Sequence, residues 1–121
     1  ELEIWKAANI TPAGDWYLKT GTGMGETLTV TNEKLGYTLC DRATYANMKD
    51  TMANLEVVCE GDQILNNPYG VIAVSPTIND KINADGAQAF VDWILSPETQ
   101  ELIGSYEING DPLFTPSAAQ K

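Results

Sequence analysis

Gly21-Thr22-Gly23-Met24-Gly25-Glu26-Thr27-Leu28-Thr29-Val30-Thr31 is the stretch that decides how this chain folds. Its three glycines make the loosest backbone in the sequence. The segment that follows, Glu26 to Lys34, supports two readings. Thr27-Leu28-Thr29-Val30-Thr31 alternates in polarity, and its β-branched residues favour a strand. Leu28, Thr31 and Leu35 also recur at helical spacing, and Glu26 sits where a carboxylate favours a helix N-terminus. Propensity alone gives a flexible hairpin followed by a Thr-rich strand. The helical reading has a chemical consequence: glycines let N–H groups converge at a helix N-terminus, where they hold an anion without a cationic side chain. Lone glycine motifs match often by chance, so composition by itself favours the strand.

Upstream, Leu2, Trp5, Ala7 and Ala8 suggest the end of a helix, stopped by Asn9 and Pro12. Trp16-Tyr17-Leu18 is a short apolar stretch with strand character. Glu1 to Trp5 reads as mid-helix and no signal peptide precedes it, so the expectation is either a mature fragment or a chain whose upstream part has been removed. Downstream, Gly36 to Cys40 reads as a buried strand, and Asp41 caps a helix from Arg42 to about Met52. Leu55-Glu56-Val57-Val58-Cys59 alternates as a strand. Tyr69 to Val74 is a continuous apolar run, as in a strand buried on both faces. Ala87, Phe90, Val91 and Ile94 mark a helix from Asn83 to Leu95. Ser96-Pro97-Glu98 restarts a helix that Gly104 ends, and Asn109-Gly110 is a hairpin turn. Strands alternating with helices give an α/β fold.

The 121 residues suit one ordinary domain, and 43% hydrophobic with 20% charged residues is globular composition. Seventeen acids against seven bases leave a net charge of -10, and Arg42 is the one arginine. Scattered bases exclude a nucleic-acid partner and an anionic membrane surface. The same charge repels anions at long range, so an anion site here works through short-range dipoles. No apolar run reaches the length of a membrane span.

The absence of histidine excludes His-based acid–base chemistry and His metal sites. Ser75, Ser96, Ser105 and Ser117 have no histidine partner, and no carboxylate pair is marked out, so the chain is not expected to be an enzyme and needs no cofactor. Asp50, Glu56, Glu60 and Asp62 read as a solvated acidic surface. Two cysteines cannot build a zinc site alone. Cys40 and Cys59 are expected as buried thiols on strands, without a disulfide. Arg42 has two readings, an anion ligand or a partner of Asp41 and a neighbouring carboxylate; the ion pair is the commoner outcome for a single arginine in an acidic chain. Trp5 and Trp93 are read as core.

Several segments together resemble a known family. Trp16-Tyr17, Gly21-Thr22-Gly23-Met24-Gly25-Glu26-Thr27-Leu28, Gly36-Tyr37-Thr38-Leu39, Asp41-Arg42, Thr44-Tyr45 and Asn67-Pro68-Tyr69-Gly70-Val71-Ile72-Ala73-Val74 look like the tungstate-binding proteins of ABC importers. Ala89-Phe90-Val91-Asp92-Trp93-Ile94-Leu95-Ser96-Pro97-Glu98 is similar to a closing motif shared by type II solute-binding proteins. The resemblance implies part of a two-lobe type II periplasmic-binding-protein fold with three αβα layers. Residues 1–41 would belong to the second lobe with the glycine-rich oxyanion loop. Residues 42–121 would return to the first lobe and end it.

The resemblance also implies that Glu26 to Lys34 is a helix. Met24 and Gly25 would then offer backbone N–H groups to the oxyanion, and Thr38 a hydroxyl or an amide. Gly23, Thr27 and Arg42 complete the candidate set. The implied partners are tungstate or molybdate and the membrane subunit of an ABC importer, in a periplasmic or extracytoplasmic setting, with a lipid anchor on the full-length protein as one form of it. Two ligand segments of the family are absent here: a Thr/Ser-rich loop near its N-terminus and a Ser-Arg-Gly-Asp type segment before the opening helix. About half the site remains, and self-association of the chain is an expected consequence. The alternatives are a structural or interaction piece without affinity of its own, and a phosphate- or sulfate-type binder. Phosphate keeps a proton at neutral pH and profits from a buried carboxylate acceptor; only Glu26 lies near the loop.

Overall fold

A computed structural model describes residues 1–118. The chain divides into two compact units, Glu1–Asn67 and the remainder from Pro68.

The first unit opens with α1 (Leu2–Ala7). Trp5 meets Trp16 and Tyr17 edge-on, with ring centroids 5.6 and 6.3 Å apart. Trp5 Nε1 and the Tyr17 hydroxyl donate to the Glu1 carboxylate at 2.8 and 2.9 Å. Those donors hold the Glu1 carboxyl below its ordinary pKa. Trp16-Tyr17 is therefore committed to an aromatic cluster, and no strand forms over Trp16–Leu18.

The segment after the glycine loop is α2 (Met24–Lys34), which overturns the strand that propensity favours. Leu28 is 2% exposed and Thr31 is buried beside it. The helix α3 (Arg42–Met48) packs against α2. A Cβ on Gly25 would lie 3.2 Å from Met48 Sδ, so glycine gives the two helices their close approach. The threonines are accommodated by bonding one turn back: Thr31 donates to the Thr27 carbonyl at 2.7 Å and Thr29 to that of Gly25 at 3.1 Å. Leu35 ends the helix in the left-handed region at φ 53°, and the Gly36 amide reaches the Thr31 carbonyl at 3.0 Å.

Asp41 caps α3, accepting from the Thr44 amide at 2.8 Å and the Thr44 hydroxyl at 2.7 Å. The last part of the expected helix tightens into a 3-10 turn over Lys49–Thr51. Ala46 and Met52 join Leu28 as the buried apolar side chains among the described residues.

The second unit contains α4 (Ala84–Ile94) and α5 (Pro97–Ser105). Both start where side-chain chemistry dictates. Asn83 accepts from the Gly86 amide at 2.9 Å, and Ser96 accepts from the Thr99 amide at 3.3 Å with Pro97 next in line. Ala87, Val91 and Ile94 are half-buried, whereas Phe90 and Trp93 each stay 53% exposed. Strands β1 (Glu107–Ile108) and β2 (Asp111–Pro112) pair antiparallel. Asn109 at φ 53° and Gly110 at φ 78° supply the turn that Asn-Gly predicts.

The strands expected at Gly36–Cys40, Leu55–Cys59 and Tyr69–Val74 are the main correction. Among the described residues the β1–β2 hairpin is the one ladder, and these three segments lie in none. They are not buried either: Tyr37 is 90% and Ile72 87% exposed. A strand is completed by hydrogen bonds from a neighbour, and no described segment supplies one.

Leu35 carries a left-handed conformation that glycine adopts without strain, and its side chain is exposed. Leu35→Gly should therefore raise stability by about 0.5–1 kcal/mol, read as a later urea midpoint followed by helical circular dichroism. An earlier midpoint would mean that the Leu35 side chain contributes more packing than its exposure indicates.

Candidate functional site

Gly21, at φ 66°, turns the chain in the left-handed region, and Gly23 is extended as the N-cap of α2. Space around both is open: a Cβ on either would meet nothing within 4 Å. The first intrahelical bond runs from the Thr27 amide to the Gly23 carbonyl at 3.0 Å. The amides of Met24, Gly25 and Glu26 precede it and so have no intrahelical acceptor. No side chain caps this end. The result is a short row of N–H donors at the positive end of an eleven-residue helix.

The sequence-derived candidates distribute unevenly. Gly23, Met24, Gly25 and Thr27 come together in the first turn of α2. Thr27 has its hydroxyl 2.9 Å from that of Thr20, which ties the loop's entry to the helix. Thr20 was not among the candidates, and a Thr–Thr pair seven residues apart carries no recognisable signal. Thr38 sits on the unpaired segment 36–40, where its hydroxyl donates to the carbonyl of Leu39 at 3.3 Å. Arg42 forms an ion pair with Glu60 at 2.8 Å, both side chains being more than half exposed. Of the two readings open for Arg42, the ion pair is realised, and Glu60, read as solvated surface, is its partner. Such exposed pairs contribute about 0–1 kcal/mol.

Cys40 lies beside this junction. Both cysteines carry free thiols, Cys40 half-buried and Cys59 exposed, so neither is the fully buried strand residue expected. The Cys40 Sγ donates to the Asp41 carbonyl at 3.1 Å. Burial first, and the Asp41 carboxylate second, push its pKa up to about 11. A shallow depression is lined by Leu2, Trp5, Lys6, Asn9, Ile10 and Pro12, and no candidate ligand residue borders it.

The chain as a whole has counterparts among known proteins. The profile of a family described as a PBP superfamily domain matches residues 1–98. The chain belongs to the periplasmic binding protein superfamily. As a member of it, the chain is 49% identical, over 99% of its length, to the tungstate-binding protein TupA of Peptoclostridium acidaminophilum, and covers 42% of that protein. The crystal structure of the tungstate ABC transporter from Geobacter sulfurreducens superposes with a TM-score of 0.76 at 37% identity, covering 87% of this chain and 44% of that one. The tungstate binding protein TupA from Desulfovibrio alaskensis G20 gives a TM-score of 0.69 at 37% identity, covering 97% and 49%. The chain thus spans less than half the length of each relative. As a superfamily member it carries part of an α/β binding-protein fold.

The two thiols should differ in reactivity. At pH 8, iodoacetamide should label exposed Cys59 first, with Cys40 lagging, as read by peptide mass spectrometry. The raised pKa has a defined sign for stability: the folded state holds the Cys40 proton more tightly than the unfolded chain does. This contribution is full below about pH 9 and is lost as pH rises toward about 11. Cys40→Ser should flatten the alkaline loss of stability between those values; an unchanged pH profile would contradict the assignment.

Proposed function

We propose that this chain is the oxyanion-binding portion of an extracytoplasmic solute-binding component of an ABC importer, and that its ligand is tungstate or molybdate. The observation that carries this reading is the uncapped row of amides at the N-terminus of α2, set on open glycines. Support comes from relatives whose names describe tungstate binding. Gly23, Met24, Gly25 and Thr27 form the ligand-facing turn. Thr38 and Arg42 belong to the proposed site only through exchange of their present partners, the Leu39 carbonyl and the Glu60 carboxylate. The role is transport and not catalysis, in line with the absence of histidine. The importer's membrane subunit is the proposed partner, and a lipid anchor its proposed attachment. No described helix is long and apolar enough to cross a membrane.

The lobe assignment is part of the proposal: residues 1–41 in the second lobe, 42–121 returning to the first. A boundary nearer Asn67 is the competing reading, favoured by the packing of α2 on α3 within one compact unit.

The donors are few. Each N–H bond exchanged with water nets about 0.5–1.5 kcal/mol, so three or four leave affinity weaker than about 10 µM. A site closed on both sides excludes water and strengthens each dipole contact. Amide chemical shifts are the measurement suited to this range. Tungstate and molybdate should shift the Gly25 and Glu26 amides together; phosphate alone doing so would favour the phosphate-type reading, and no shift would favour a structural piece. Met24→Pro removes one donor at the first helical position, where proline fits and where extended Gly23 tolerates it. It should weaken binding about tenfold, while Met24→Ala should not. Equal affinities for the two variants would remove the amide row from the site.

A further inference from the structure

We propose that Thr20 is a positioning residue of the anion-binding turn: its hydroxyl, paired with that of Thr27, holds the glycine loop so that the amides of Met24, Gly25 and Glu26 keep a common direction. This role deepens the oxyanion reading and rests on it.

The loop has little else to hold it. Among the described residues, no backbone amide from Leu18 to Glu26 donates to another backbone group. Gly21 stands at φ 66°, and a Cβ added at Gly21 or Gly23 would meet nothing within 4 Å, so packing does not restrain these two either. Glycine has the most backbone freedom to lose on ordering. A stretch of this composition keeps one conformation only when its ends are tied. At the helical end, Gly25 lies against α3, with Met48 Sδ 3.2 Å from where its Cβ would stand. At the entry the tie is Thr20, whose partly buried hydroxyl is 2.9 Å from that of Thr27. One of the two hydroxyls donates to the other.

The other threonines of α2 show that this bond is no by-product of the helix. Thr29 and Thr31 donate one turn back, to the Gly25 and Thr27 carbonyls, at 3.1 and 2.7 Å. That is the local bond a helical threonine ordinarily makes. The carbonyl one turn behind Thr27 is that of Gly23, which accepts the Thr27 amide. The Thr27 hydroxyl turns outward to Thr20 instead. Its bond spans the loop that carries the free donors, so it acts on their alignment without touching a ligand.

The test compares Thr20→Val, which keeps the side chain's shape and removes the hydroxyl, with Thr20→Ser, which keeps the hydroxyl. Amide nitrogen relaxation of the free chain is read first. In Thr20→Val the order parameters from Gly21 to Gly25 should fall below about 0.6, the range of flexible backbone, with α2 beyond Leu28 unchanged. Thr20→Ala, a second deletion of the hydroxyl, should behave as the valine variant does, and Thr20→Ser should match the wild type. Titration with tungstate, followed at the Gly25 and Glu26 amides, is read second. Thr20→Val should weaken binding about three- to tenfold, the worth of one neutral hydrogen bond, and Thr20→Ser should restore it. In a Thr27→Val background, Thr20→Val should weaken binding no further, because its effect passes through Thr27. Loop order that survives loss of the hydroxyl would overturn the inference. A serine variant as weak as the valine one, or an additive loss in the double variant, would overturn it as well. If tungstate shifts no amide of the wild-type chain, the oxyanion reading fails alone, and the loop-order comparison still decides whether Thr20 positions the row.

Discussion

The burial of Leu28 in α2, the helix that packs on α3, is the constraint on which the rest of the first unit depends. The run Thr27–Thr31 has the residues of a strand, but the whole range of strand preferences spans only about 1 kcal/mol per position. Burying one leucine is worth about 1.5–3 kcal/mol, and Leu28 is almost fully enclosed. Helical spacing puts Thr31 on the same buried side, with its hydroxyl satisfied by the Thr27 carbonyl. Once the segment is helical its start is fixed by the extended Gly23, and the loop amides acquire a common direction. Gly25 then serves two purposes. It carries a free N–H, and its missing side chain leaves room for Met48.

The helices were legible wherever a local chemical signal marked their ends. Asp41 and Ser96 each cap the helix expected of them, the helix expected near Asn83 starts there with Asn83 as its cap, and Asn109-Gly110 makes its turn. Such signals act within three or four residues, so the sequence contains the whole interaction. Strands differ, because their hydrogen bonds come from another segment. The composition of Tyr69–Val74 states that it suits a buried strand; it cannot state that a neighbour is present, and none of the described segments is one. The α2 segment failed on composition for the related reason that the helix it packs on, α3, begins only at Arg42. Helical periodicity left the alternative open, and the family resemblance implied it where propensity did not.

The grouping of the candidate residues was legible to the same extent. Four candidates share one turn because they are close in sequence. Arg42 and Thr38 depended on contacts that spacing does not encode. The Arg42–Glu60 pair spans eighteen residues and links the start of α3 to the segment after Leu55. It leaves the chain's one guanidinium engaged by a carboxylate. In the proposed site, the loop's attraction for anions therefore comes from its backbone.

Backbone donors impose their own selectivity. A helix N-terminus presents roughly half a positive charge, and its influence fades within the first turn. The net charge of -10 acts over longer distances but is screened beyond about 8 Å at physiological salt. Close to Gly25 the dipoles therefore outweigh the repulsion, and farther out the repulsion dominates; charge density alone gives an anion little advantage. Discrimination then falls to hydrogen-bond sign. Met24, Gly25 and Glu26 offer only N–H groups, and the first turn offers one carboxylate, Glu26, which is exposed. An oxyanion without a proton can accept from every donor in the row. One that retains a proton brings an O–H that finds no buried acceptor there, and an unmet donor costs about 1–3 kcal/mol once water is excluded. On the proposed reading, the same uncapped turn that would make the site weak when open to solvent would thus favour fully deprotonated oxyanions when it is covered.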